Sequence, residues 1–265
     1  HLRALTDETG LIQHAKFIIP DRDHGYCTDD NARAAVAMVR HYAQYADARA
    51  LELFDRYLSF LLHAQHTDGT VHNFMCYDRQ WMEDEPLHDA LGRTLWALGA
   101  VMARPPLPRY VPIIKDRFDL SVKHVPVQSI RGMAYAIFGM ADYLTQFPGA
   151  SDVKRYFSTA ANFLLEQYQR YSRPGWHWYE DILAYDNAVL PHALYIAAMR
   201  SGSEKYLRAA EESCRFLLNQ TYNGNHFSFI GCDGWHPRGG RRAQFDQQPL
   251  EVMSTVMMLR AAYDA

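Results

Sequence analysis

Residues 27–39 read CTDDNARAAVAMV, and the two halves of that stretch decide the fold. The first half is polar and acidic. The second, ARAAVAMV (32–39), is small or apolar almost all round, and a helix without a polar face has to be surrounded by protein. The same succession occurs four more times. LHDALGR (87–93) precedes LWALGAVM (95–102), and VQSIRG (127–132) precedes MAYAIFGMA (133–141). YEDILAYDNA (179–188) precedes ALYIAAM (193–199), and QFDQQPLE (244–251) precedes VMSTVMML (252–259). With Asp30, Asp89, Arg131, Asp186 and Glu251 as markers, the spacings are 59, 42, 55 and 65 residues, an irregular hairpin period and not a strict repeat.

Between these segments lie helices of another kind. Phe54, Tyr57, Leu58, Leu61 and Leu62 fall at helical spacing, as do Phe157, Ala160, Ala161, Leu164 and Tyr168, and Leu207, Ala210, Cys214, Leu217 and Leu218. Each set forms one apolar stripe opposite a charged face, the mark of a half-exposed outer helix. Inner and outer helices alternate, so the expected fold is all-α: an (α/α) barrel or toroid of about five to six helical hairpins. Small β-hairpin loops are expected at one end, in 66–82 and 222–242, and Pro105, Pro106 and Pro108 break the chain after the second inner segment. No linker divides the chain, so residues 1–265 read as one domain; of a six-hairpin ring, one hairpin is expected either to lie upstream or to be missing from the ring. If the inner helices run parallel, their N-terminal clusters converge. Helix N-termini carry unpaired N–H groups and positive dipole ends, and a ring of them lined with carboxylates and aromatics makes a polar bowl.

Composition narrows the chemistry. The 265 residues are 48% hydrophobic and 22% charged, and 27 Lys and Arg against 30 Asp and Glu give a net charge of −3. That balance argues against a nucleic-acid partner. No apolar run is long enough to span a membrane. The four cysteines form no C-x-x-C pair, and His63, His66 and His72 meet no carboxylate in a ligand pattern, so neither metal nor cofactor is expected. No stretch reads as a secretory signal, which gives a cytoplasmic expectation.

Five strings carry a resemblance: HAKFIIPDRDHGYCTDDNARA (14–34), HNFMCYDRQW (72–81), DALGRTLWALG (89–99), WHWYEDILAYDNAVLPHAL (176–194) and FDQQPLE (245–251). Together they resemble α/α-toroid domains found fused to, or grouped with, bacterial group 1 glycosyltransferases. More loosely, the hairpin ring is similar to the six-hairpin glycosidase superfamily, which includes mannan-cleaving glycosidases with an adjacent Asp pair and sugar 2-epimerases. The resemblance implies carbohydrate chemistry, an oligosaccharide or glycoconjugate substrate and a glycosyltransferase as partner. This chain lacks the strand, Gly-rich loop and helix of a nucleotide-sugar domain, so glycosyl transfer by it alone is not expected.

Cleaving a glycosidic bond needs a carboxylic acid to protonate the leaving oxygen and a second carboxylate as base or nucleophile. Asp30 and Glu180 are the leading pair, with Asp89 and Asp186 the next choices as catalytic residues. Thr28 or Asp29 is placed as the helix cap; the alternative for the acidic pair is that cap plus an Asp30–Arg33 surface pair. Asp89 and Arg93 have an i, i+4 salt bridge as their alternative. Trp176, His177 and Trp178 offer a stacking platform for a sugar ring, or a plug in the bowl, and the acids after them can cap a helix that Pro191 begins. His24, Tyr26, Asp29, Asn73, Arg93, Trp178, Tyr185, Asn187, Gln248 and Glu251 complete the expected substrate site. Glycoside hydrolysis is the leading reading. A sugar epimerase or isomerase would need two facing histidines, for which His24, His88, His177 and His192 lie near the clusters. A non-catalytic glycan-binding domain serving a glycosyltransferase needs the bowl without the carboxylate pair.

Overall fold

The computed structural model describes residues 1–82, 88–104, 108–125 and 128–265, with His88 described by its backbone alone. Pro105 and Pro106 of the expected break lie outside the described residues, as do Leu87 and Val127 of two polar clusters and the His88 side chain. The described residues are mostly helical and form two compact units, His1–Phe157 and Ser158–Ala265.

The first unit opens with a β-hairpin, β1 (Ile12–Lys16) and β2 (Ile19–Cys27), which the helical reading of the sequence did not anticipate. Ile12 pairs with Tyr26 and His14 with Asp21, so residues 22–25 bulge out of the ladder. Phe17 at the tip is 98% exposed at φ 61°. The strand β2 runs straight into α1 (Thr28–Tyr45), which α2 (Ala48–Ala64) follows as an antiparallel neighbour. The buried face of α2 includes Phe54, Tyr57, Leu58 and Leu61, the expected stripe. In the expected hairpin loop, β3 (Phe74–Met75) instead adds a third strand beside β2.

Next come α3 (His88–Ala103), α4 (Val111–Ser121), α5 (Ile130–Gln146) and α6 (Ser151–Tyr171), within which the boundary between units falls. The helices α3 and α5 pack backbone to backbone. A Cβ on Gly92 would meet the Gly132 carbonyl oxygen at 2.2 Å, and one on Gly99 would meet that of Gly139 at 2.3 Å. Both contacts pair residues with the same separation in sequence, so the two helices run parallel. Arg93 in the first turns of α3 bonds Asp29 in the first turn of α1, so these N-termini meet as well. Within this unit the inner helices therefore share one direction, as the polar clusters required.

In the second unit, β4 (Ile182–Leu183) precedes α7 (Val189–Ser201), which pairs with α8 (Glu204–Thr221). Then β5 (His236–Pro237) adds antiparallel to β4, and α9 (Pro249–Asp264) packs on α7. The helix α7 begins two residues before Pro191, and no side chain caps it. Residues 189–195 are buried without interruption, which explains their lack of a polar face. One inner segment departs from expectation. Although Glu251, Ser254, Thr255 and Met258 are buried, α9 leaves Val252, Val256, Leu259 and Tyr263 exposed. None of the described helices is long and apolar enough to cross a membrane.

Candidate functional site

In the first unit the site grows from the junction of β2 and α1. The cap of α1 is Cys27, which makes no side-chain capping bond, so neither Thr28 nor Asp29 takes the expected role. Both are diverted by tertiary partners. The Thr28 hydroxyl donates to the His72 carbonyl at 2.7 Å. Asp29 accepts from Arg33 at 3.0 Å and from Arg93, itself 2% exposed and packed over the Tyr135 ring at 4.7 Å. Arg93 therefore reaches across to α1, and Asp89 accepts a bond from Ser129, the cap of α5. Three helix N-termini, those of α1, α3 and α5, are joined by these contacts.

Asp30 has a different setting from its neighbour. Its side chain is 26% exposed and meets Arg33 Nη1 at 3.3 Å, the expected surface pair. Burial raises its carboxyl above the ordinary carboxylate range, outweighing the pull of Arg33 and His14 in the other direction. Burial, with the charge of Asp30 second, pushes the Cys27 thiol up to about 12, so it stays protonated and donates to Asn73 Oδ1 at 3.3 Å. Asn73 is buried as a strut under the start of α1, its carbonyl accepting from Thr28 N at 2.8 Å. Tyr26 is likewise buried, its hydroxyl donating to Asp7 at 2.6 Å, and so presents no ring to a substrate. His24, on the bulge, is exposed, with its ring 4.4 Å from that of His14 and its Nε2 3.9 Å from Asp21. His14 is a neighbour of this cluster that sequence reading did not single out. It lies outside every polar cluster, and only the strand register brings it beside His24.

In the second unit the centre is Glu251, 3% exposed in the first turn of α9. Its carboxylate accepts from the backbone N–H of Asp186 and, at 3.3 Å, from that of Asn187. Burial pushes this carboxyl up to about 7, and the nearby charge of Asp186 adds to the effect against the two N–H bonds. Asp186 is fully buried at φ 51°, in the left-handed region that Asp enters more readily than most L-residues. Asn187 is fully buried and donates to the Ala184 carbonyl at 2.7 Å. Tyr185 is half-buried, its ring 6.2 Å from Trp235.

The expected platform falls differently. Trp178 is 0% exposed and packs edge-on against Tyr179, so it plugs the core and offers no face to a sugar. Trp176 is buried and donates from Nε1 to the Glu180 carbonyl at 2.8 Å. Glu180 is half-buried, Gln248 is the exposed cap residue of α9, and His192 is buried on α7. Thus Asp29, Asp30, Asp89 and Arg93 gather in one unit, and Tyr185, Asp186, Asn187 and Glu251 in the other. The expected Asp30–Glu180 pair is divided between the two. Among the described residues, no group of three or more His, Cys, Asp or Glu side chains is placed to hold a metal ion.

No protein-family model matches the chain, and no curated protein matches its sequence. Solved structures do match. A sugar epimerase from a ruminal bacterium aligns with a TM-score of 0.76 at 12% identity, over 98% of this chain and 78% of that one. A D-mannose isomerase aligns at 0.73 and 10% identity, over 98% and 77%. The GH76 α-mannanase of Bacteroides thetaiotaomicron aligns at 0.59 and 14% identity, over 90% and 70%. At these identities the likeness defines the fold: the chain has the α/α-toroid architecture of these carbohydrate-active enzymes.

Proposed function

We propose that this chain is a carbohydrate-active enzyme that cleaves a glycosidic bond, with Asp30 as the proton donor. The observation that carries the reading is the contrast between two adjacent carboxylates at the mouth of α1. Asp29 is occupied by two guanidinium groups, whereas burial makes Asp30 the readier of the two to carry a proton. Neighbouring acids in unlike settings are how a site separates an acid from a charged partner. Asp30 would protonate the leaving oxygen, and the oxygen's bond to the anomeric carbon would break as water supplies the new one. For the second carboxylate the sequence reading names Glu180, with Asp89, which shares a unit with Asp30, and Asp186 as the alternatives. The likeness to an α-mannanase makes α-mannosides the first substrates to try. A glycosyltransferase partner follows from the sequence resemblance alone.

The test is turnover of manno-, gluco- and galacto-oligosaccharides by the wild-type chain and by Asp30→Asn and Glu180→Gln. Loss of the proton donor is expected to slow cleavage by roughly 10²–10⁴-fold. Full activity in both variants, or no cleavage by the wild type, removes the assignment. One observation favours a second reading, a sugar epimerase or isomerase: the His14–His24 ring pair lies on the hairpin that leads into Asp30. Uptake of solvent deuterium at a sugar carbon, without chain cleavage, would select it.

A further inference from the structure

We propose that the 231–246 loop of the second unit carries a separate saccharide subsite, in which one pyranose ring stacks on Phe245. The inference rests on the carbohydrate reading above and adds a position to it. A cavity of about 360 Å³ opens on this loop, lined by Asp233, Arg241, Gln244 and Phe245 among others. That volume lies at the small end of ligand sites, which run from ~300 to ~1,000 Å³. Phe245 is 75% exposed, yet its backbone is fixed: a Cβ on Gly231 would meet the Phe245 carbonyl oxygen at 1.9 Å. Gly231 N donates to Ala243 O at 3.0 Å, Ala243 N to Trp235 O at 2.8 Å, and Cys232 N to Asp246 O at 3.3 Å, so the two arms of the loop are laced together. An exposed aromatic ring on a laced backbone is a poor choice for the core and a good platform for the apolar C–H face of a sugar.

The polar groups around it are of the kind sugar hydroxyls use. The neighbouring Arg242 is committed, donating to the Ser228 and Phe229 carbonyls. Among the described residues, the Arg241 guanidinium, the Asp233 carboxylate and the Gln244 amide make no hydrogen bond or ion pair within the protein. They supply donors and acceptors beside the exposed Phe245 ring, the complement that sugar hydroxyls need. Trp235 holds a φ of 56°, which a bulky side chain rarely adopts. Backbone strain of that kind is retained where surrounding structure enforces it, as at ligand clamps. The loop also joins the Asp186–Glu251 cluster of its own unit, because β5 pairs with β4 immediately before the Asp186 turn.

The experiment is calorimetric titration of the intact chain with β-1,4-glucotriose, α-1,2-mannotriose and α-1,6-mannotriose. Phe245→Ala and Arg241→Gln are compared with Tyr263→Ala, an exposed aromatic on α9 outside the cavity. The subsite requires at least one trisaccharide to bind the wild type, each loop variant to weaken it by roughly 10-fold, and Tyr263→Ala to leave it unchanged. Binding that is equal in all four proteins overturns the proposal, and so does a wild type that binds none of the sugars. Weakened binding without any wild-type turnover retains the subsite and removes the cleavage reading. Turnover with binding indifferent to the loop variants does the reverse.

Discussion

Replacing Glu251 by Gln isolates the energetic weight of the buried carboxylate under the Asp186–Asn187 turn. Its ordinary value is 4.5, and burial pushes it up to about 7 in the fold. Each pKa unit is about 1.4 kcal/mol, so ionising this group in the folded chain costs ~3 kcal/mol more than ionising it in the unfolded chain. Because the folded value is the raised one, the associated stability is complete below pH 4.5 and is lost as pH climbs to about 7. Gln cannot ionise and retains one carbonyl for the N–H groups of Asp186 and Asn187. At about pH 5 the Glu251→Gln variant should match the wild type to within ~1 kcal/mol. At about pH 8 it should be more stable relative to the wild type by a further ~2–3 kcal/mol. The assay is urea unfolding of both proteins across that pH range, reading the difference in extrapolated free energy. Parallel pH profiles for the two proteins would refute the reasoning, since Glu251 would then titrate alike in folded and unfolded chains.

Gly139→Ala should destabilise by ~1–3 kcal/mol, because its Cβ would meet the Leu95 carbonyl oxygen at 2.2 Å and backbone cannot rotate aside; a helix in open solvent would instead gain ~1 kcal/mol from that change. Thermal melting decides the sign. Ser129→Ala removes the cap of α5, in which the side chain accepts from Gly132 N at 3.1 Å, and should cost ~1–2 kcal/mol in the same assay. Phe17→Asn places a residue tolerant of positive φ at the exposed hairpin tip and should leave stability unchanged or raise it by ~0.5–1 kcal/mol, measured by denaturant midpoint.

The helices were legible because their periodicity is a direct record of what they face. The stripe through Phe54, Tyr57, Leu58 and Leu61 is buried on α2, and the faceless run through Ala193 and Leu194 is buried on α7. The β1–β2 hairpin was not legible. Its tip puts Phe17, Ile18 and Ile19 into solvent, against the rule that such residues go inside. The site was legible as clusters and not as roles. Asp29 follows a strand and opens a helix, which reads as a cap, but Arg93, 64 residues away, claims its carboxylate. Trp178 carries the same ring whether it plugs a core or faces a bowl, and only packing against Tyr179 decides. Glu251 reads as a first-turn acid, and its partners at 186 and 187 are supplied by the fold.

The glycine contacts between α3 and α5 also govern where this chain tolerates a change of length. Gly92 and Gly99 sit about two turns apart on one helix, and Gly132 and Gly139 keep the same interval on the other. One residue inserted between Gly92 and Gly99 would rotate everything beyond it by about 100°, and a side chain would swing into the space that only a hydrogen can occupy. The same insertion in the connection between the helices leaves both contacts untouched. The pair works as a ruler, strict along the rods and indifferent to the thread that joins them.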